Sequence, residues 1–475
     1  MIILIATLAL PATLLPLLAT FSWFPRRISS LVAVGALLLA LVELPFILIE
    51  GPHGIWYYPT NLVSFDGIAF AFSVTVITVS TMAAVGSAGF MKDESNSAIY
   101  YSLILFTTIG MILVSSSTDL IFLLVSWELM TVPTFVLVAM KRGDRRSSEA
   151  AMKYFLAAAL SAALILFGLS FAYGLAGSTS FSAVASAFAN NARSAPAIYL
   201  LTAALLLSGF AVKMAIVPFH FWLPDTLQGG FPQVSAILAA GSKKAGFAAA
   251  IRITLALLLV SRFSSFSVSW QLALALAAAA TITWGNVAAL TQSSISRMLA
   301  YSSIAQAGYI MIGLAVQGTA GAALGLIGIF LQVLFHGVMK GSAFISLENV
   351  GDSMEDLSGL YRKAPFTSVA LAVSLFSLAG LPPLNGFWGK LYLFLGAVQG
   401  SLWWLAAVAL ANSAIALAYY SYLAKRMFFD EPVTASRKER LEVVAVLAFS
   451  TAFIVITGFY PSPFITVFSR LGGLP

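Results

Sequence analysis

Lys213, Lys243, Lys244, Lys340 and Lys390, with Glu128, His220 and His336, are the residues whose types and places can do chemistry in this chain. All lie in or beside apolar runs. An ammonium at the bilayer centre costs roughly 2.5–3.5 kcal/mol on insertion scales, so a lysine kept there either has a function or snorkels to an interface. Lys213 and Lys243 both fall near the middle of their runs, which excludes snorkelling as their whole account. In KMAIVPFHFWLPDTLQGGFPQVSAILAAGSKK the two are joined through Pro218, Pro224, Gly229, Gly230 and Pro232. Proline removes a backbone donor, and a helix broken at membrane depth must line protein or water. Buried charge beside a broken helix is the recurrent build of an ion-translocation site.

Glu128, in LVSWELMTVPTF, sits near mid-membrane and needs a cation beside it to stay charged; Lys213 is its natural partner. Lys243 and Lys244 are adjacent and point about 100° apart on a helix, so both cannot face one path. Lys243 is favoured and Lys244 is the alternative. His336 and Lys340 in LFHGVMKGSAF lie one turn apart on one face, and histidine titrates near neutrality, which suits proton relay. Lys390, just past Pro382, Pro383 and Gly386, completes the row, and His220 after Pro218 is a gate or a cap. Alternating titratable groups suit stepwise proton movement and suit a bulky substrate poorly. Arg252 is expected to snorkel outward, Lys153 to reach Glu149 at i−4, and Glu43 to stand near an interface without a partner.

The elements that position these groups are membrane helices. The chain is 60% hydrophobic and 9% charged, with a mean hydropathy of +0.96. That composition fits an all-α polytopic membrane protein and excludes a soluble enzyme. Apolar runs fall at about 2–22, 29–49, 64–88, 98–116, 119–140, 150–174, 197–224, 233–260, 269–292, 299–316, 321–347, 366–398, 402–424 and 441–460, which predicts 14 spans. The seventh and twelfth are long and broken by proline. AIVPFHFWLPD and SLAGLPPLNGFWGK share a proline break and aromatic residues. They stand five spans apart, so spans 4–8 and 9–13 read as two inverted five-helix repeats. This divides the chain into an N-terminal three-helix segment (1–97), a first repeat (98–260), a second repeat (261–424) and a C-terminal loop and last helix (425–475). The connections 175–196 and 348–365 are too short to bury a core of their own. The first run continues apolar to Phe24 with no cleavage site, so no signal peptide is expected.

Orientation follows from the basic residues. Loops after odd-numbered spans hold Arg26, Arg27, Lys92, Lys141, Arg142, Arg145, Arg146, Arg297, Arg362, Lys363, Lys425, Arg426, Arg437, Lys438 and Arg440. Loops after even-numbered spans and the C-terminal tail hold only Arg193, Arg262 and Arg470. The positive-inside rule then places the odd loops in the cytoplasm and both termini outside. The net charge of +7 is membrane orientation, not nucleic-acid binding. Zero cysteines exclude cysteine-ligated clusters and disulfides, and His53, His220 and His336 are too far apart in sequence to make a metal or haem signature.

At these residues the chain resembles the antiporter-like subunits of respiratory complex I and its relatives. The resemblance covers nearly all of it, most specifically SWELMTVPTFVLVAMKRGDRRSSEAAMKYFLAAALSAA, KMAIVPFHFWLPDTLQGGFPQVSAILAAGSKKAG and FSLAGLPPLNGFWGKLYLF. It implies that Glu128, Lys213, Lys243 and Lys390 form a proton path. Lysine at the last position resembles the N-type subunit, whereas FHGVMKGSAF resembles the corresponding run of M-type subunits and of Mrp D subunits. The implied function is a proton-translocating subunit of a complex I-type oxidoreductase fed by NADH, ferredoxin or a reduced deazaflavin coenzyme. It would have no cofactor of its own and lie in the plasma membrane. Its implied partners are lipids and other membrane subunits, further antiporter-like ones included. The second reading is a D-type subunit of an Mrp-like sodium/proton antiporter or of a membrane-bound hydrogenase.

Overall fold

The computed structural model describes residues 1–21, 25–50, 62–92, 94–141, 143–191, 196–255, 264–433 and 439–472. His53, Arg142, Arg193, Arg262, Arg437 and Lys438, used in the charge and histidine arguments, lie outside the described residues. In chain order the helices are α1 (Ile2–Leu18), α2 (Arg26–Glu50), α3 (Gly67–Met91), α4 (Ser97–Ser116), α5 (Leu120–Val138), α6 (Arg145–Ala176) and α7 (Phe181–Asn191). There follow α8 (Pro196–Met214), α9 (Leu223–Gly229), α10 (Pro232–Ala236), a π turn (Ile237–Ser242) and α11 (Lys243–Ile253). The second half holds α12 (Ser264–Leu290), α13 (Ile295–Ala315), α14 (Ala322–Val350), α15 (Leu360–Lys363), α16 (Pro365–Ala379), α17 (Gly386–Gln399), α18 (Trp403–Phe429), α19 (Leu441–Phe459) and α20 (Ser462–Gly472). Among the described residues, 12 helices are long and apolar enough to cross a membrane, and Ile2–Leu18 and Pro365–Ala379 are shorter apolar helices. The connection 175–196 contains α7, and α20 follows the last long helix; neither was anticipated.

Aspartate and serine caps start several helices. Asp66 accepts from Ala69 N, Asp119 from Ile121 N and Phe122 N, Asp144 from Arg146 N, and Ser294 from Arg297 N. Each satisfies first-turn donors that would otherwise be orphaned.

Matched packing recurs in the two halves. α4 meets α5 at Gly110, where an added Cβ would fall 2.4 Å from the Met130 backbone nitrogen. α12 meets α13 at Gly285, where an added Cβ would fall 2.4 Å from the Ala305 nitrogen. α6 packs on both halves of the first broken span, α8 and α9, as α14 packs on both halves of the second, α16 and α17. The capping residues of α5 and α13 also form equivalent isolated bridges, Asp119 with Ser180 and Ser294 with Ser353. Small residues permit such backbone approaches in membranes, where packing substitutes for a hydrophobic drive.

Two polar residues differ from expectation. Arg252 does not snorkel: it is buried and bonds both oxygens of Asp66 at 2.9 and 3.0 Å, with Ser115 O at 2.6 Å. A fork of five donors suits this role, since it satisfies a carboxylate and a helix-end carbonyl together. Glu43 has a partner, Thr7, whose hydroxyl donates to Oε1 at 2.8 Å. Lys153 does reach Glu149, at 2.7 Å.

Candidate functional site: a row of buried lysines

The first break follows α8. Lys213 occupies its last turn, Ala215 turns the chain with φ +54, and regular helix resumes at Leu223. Trp222 closes the gap: its indole N–H donates to Val212 O at 2.8 Å, and its ring stacks on Tyr154 at 4.8 Å. Tyr154, from α6, is thereby set against Lys213. The ammonium donates to the Tyr154 hydroxyl and to Thr131 Oγ1 at 3.2 Å, and lies 4.8 Å from the centre of the Tyr154 ring. Thr134 Oγ1 is 2.8 Å from the same hydroxyl. Glu128 lies within electrostatic range of Lys213, but no carboxylate comes within 4.0 Å of that ammonium among the described residues. Glu128 is half-buried, and its Oε1 has no hydrogen-bond partner. The expected pair is therefore not closed; hydroxyls take its place.

The second break separates α16 from α17. Gly380 ends α16 at φ +91, and a Cβ there would also fall 2.9 Å from Lys390 Cδ, so both backbone and space require glycine. Lys390 reaches back across the break to Ala379 O at 2.8 Å and to Ser413 Oγ at 3.4 Å, with its ammonium 4.5 Å from the Tyr309 ring centre. Asn385 and Ser377 brace the break, together with Thr457 from α19.

Between the breaks lies the central group. Lys243 donates to Ser303 O at 2.7 Å. Lys340 donates to Ser302 Oγ and to Leu299 O at 3.2 Å. His336 is wholly buried, neither ring nitrogen has a partner, and Lys243, Lys244, Lys340 and Lys390 all stand within electrostatic range of it. Lys244 is buried with its ammonium unpartnered, 6.0 Å from the Phe247 ring centre. His220 stands within electrostatic range of Lys243; its ring meets Trp284 of α12 edge-on at 5.6 Å, and Nδ1 has no partner. The helix that follows it, α9, starts without a side-chain cap.

The arrangement is a file of ammonium groups in which Lys213, Lys243, Lys340 and Lys390 are held by hydroxyl or carbonyl oxygens and Lys244 is not, a chemistry suited to passing protons. The matching family profile, described as NADH:quinone oxidoreductase/Mrp antiporter, TM, covers residues 117–416. The chain belongs to that family. It is 36% identical over 457 residues to the F(420)H(2) dehydrogenase subunit N of Methanosarcina mazei, covering 92% of this chain and 90% of that protein. It is 38% identical over 412 residues to the NADH-quinone oxidoreductase subunit N of Trichlorobacter lovleyi, covering 85% and 83%. A chain of respiratory complex I from Thermus thermophilus superposes with a TM-score of 0.81 at 32% identity, over 98% of both chains. This member of the family is a multi-pass membrane protein. Among the described residues no histidine, aspartate and glutamate cluster could hold a metal ion.

Tyr154, Thr131, Ser302, Ser303, Gln306 and Tyr309 had not been singled out. Gln306 Nε2 donates to Leu378 O at 2.9 Å, and its Oε1 accepts from Gln332 at 2.6 Å, so α13 lines the file from Lys340 to Lys390. For Ser302, Ser303, Gln306 and Tyr309 the available signal was the polar run AYSSIAQAGY inside a span.

Proposed function

We propose that this chain is the proton-translocating, N-type antiporter-like subunit of a redox-driven complex of the complex I kind, without a redox centre of its own. Electrons would come from NADH, ferredoxin or a reduced deazaflavin coenzyme through other subunits. The relatives named as subunits of an NADH-quinone oxidoreductase and of an F(420)H(2) dehydrogenase support this reading.

One observation carries the role: Lys213, Lys243, Lys340 and Lys390 are buried, and none has a carboxylate within 4.0 Å among the described residues. A buried ammonium locked to a counter-ion keeps its proton, whereas one held by neutral oxygens can surrender it when the local field changes. Residues 98–260 and 261–424 would form two half-channels. Glu128 and Lys213 would serve the first, His336, Lys340 and Lys390 the second, and Lys243 would join them. The odd-numbered loops would face the cytoplasm and both termini the outside, in the plasma membrane.

Lys213→Ala in the assembled complex tests this. Proton uptake into vesicles, driven by electron transfer, is expected to fall at least tenfold with subunit composition unchanged. Uptake at the parent rate would refute the assignment. Uptake driven by an imposed sodium gradient, with no electron donor present, would instead favour the Mrp-like reading.

A further inference from the structure

The π turn Ile237–Ser242 ends where the lysine doublet begins. The Lys243 N–H donates to Leu238 O, five residues back, in place of the α-helical four. A π turn amounts to one extra residue in the helix and leaves everything after it rotated by about 100° and displaced by about 1.5 Å from the register of the preceding helix.

The helix is fixed on both sides of this turn. On one side Gln233 Nε2 donates to Gly86 O at 3.1 Å, and Ser235 Oγ to Leu227 O at 2.7 Å. On the other, Arg252 is bound to Asp66 and Ser115. With both ends held, the extra residue cannot leave the segment; it can only move along it. The stretch ahead of it, AGFAAA at residues 245–250, is alanine and glycine apart from the wholly buried Phe247, the one large side chain that the movement must carry round.

Resting on the proton-path reading above, we propose that migration of this π turn past the doublet carries the Lys243 ammonium from Ser303 O to the place Lys244 now holds. In the present register both lysines stand in range of His336 and Lys340, but Lys243 is bound to Ser303 O of α13 while Lys244 is buried and unpartnered. When residues 237–244 take the α register, each moves one step around the axis. Ser242 then enters the position facing Ser303, and Lys243 enters the position of Lys244. The doublet is a two-position carrier: one lysine moves and the second marks where it goes. This gives a role to the second lysine, which cannot face the same path in one register.

Deleting Ala240 removes the extra residue while keeping Lys243, Lys244 and α11 in their present places. The shortened protein should therefore assemble into the complex, whereas deletion of Ala249, from regular α-helix, should not. In assembled complexes lacking Ala240, proton translocation is expected to drop at least tenfold, because the carrier is locked. Parent-rate translocation in that variant would overturn the carrier while leaving the path intact; an unaffected Lys243→Ala would instead overturn the path. Electron cryomicroscopy of the parent complex during turnover is the second measurement and does not depend on the deletion assembling. A class with residues 237–242 in the α register and Lys243 away from Ser303 is expected. The π turn at 237–242 in every class would reject the proposal.

Discussion

The Lys390 ammonium lies 2.8 Å from the carbonyl oxygen of Ala379, the last residue of α16. The end of a half-helix leaves carbonyls unpaired and carries a partial negative charge, so this oxygen stabilises a cation without neutralising it. Lys390→Arg should preserve the contact and the assembly but abolish proton transfer through this point, since a guanidinium does not give up its proton. Lys390→Glu should retain more activity than Lys390→Ala, because a protonated carboxyl can still donate to the same oxygen. Proton uptake in vesicles, measured on the three variants side by side, decides this. Equal rates in all three would remove Lys390 from the path.

Tyr154 holds Lys213 with its hydroxyl and Trp222 with its ring. Tyr154→Phe separates the two roles. The stack survives, and the ammonium keeps only Thr131. A hydrogen bond to a charged group contributes about 1.5–3 kcal/mol, so a fall in thermal stability of that order is expected, with slowed pumping. Unchanged stability together with unchanged pumping would show that the hydroxyl holds nothing.

What could be read in the sequence and what could not divide along physical lines. The lysines were legible because charge in hydrocarbon is costly and therefore conspicuous, as with Lys213 and Lys390. The breaks were legible from Pro218 and from Pro382–Pro383, and outside those breaks the apolar runs are largely helical over the described residues. The groups that hold the lysines were not. Thr131, Thr134, Ser302 and Tyr309 carry no such signal, because hydroxyls in helices routinely bond their own preceding turn, as Thr134 does with Thr131 O and Ser302 with Leu299 O. Burial of Arg252 was missed because its partner Asp66 lies far away in sequence, before α3.

Glu128 stands in range of Lys213 without closing on it, so its effect is exerted through the field. Glu128→Gln removes that field and no hydrogen bond that Lys213 makes here. Stability should change by less than about 0.5 kcal/mol, the range of changes that break no buried contact. Pumping and coupled electron transfer should slow together, and Glu128→Asp should be milder. A Gln variant with unaltered turnover and unaltered proton uptake would sink the role of this carboxylate.

Asp225, in α9 and outside the long spanning helices, binds two cations at once. Lys153 Nζ lies 2.6 Å from Oδ2, and Arg297 bonds Oδ1. Gln228 extends the cluster, accepting from Arg297 at 3.3 Å and donating to Asp352 at 3.1 Å, so the start of α13 is tied to the first broken helix. Burial alone would raise the Asp225 carboxyl, but the bonds from Lys153 and Arg297 outweigh it and hold the group below the ordinary carboxylate value. A carboxyl depressed on folding stabilises the protein above its unfolded value, and that contribution disappears as pH falls through the folded one. Asp225→Asn should therefore lower thermal stability by a nearly constant amount through neutral pH, worth about 1 kcal/mol for a partly exposed pair. The difference from the parent should shrink only below about pH 4, where the ordinary carboxylate begins to protonate. Thermal unfolding of the two complexes across that range measures it. A gap that stays as wide in acid as at neutrality would mean that the charge of Asp225 contributes nothing and that its shape alone holds α9 to α13.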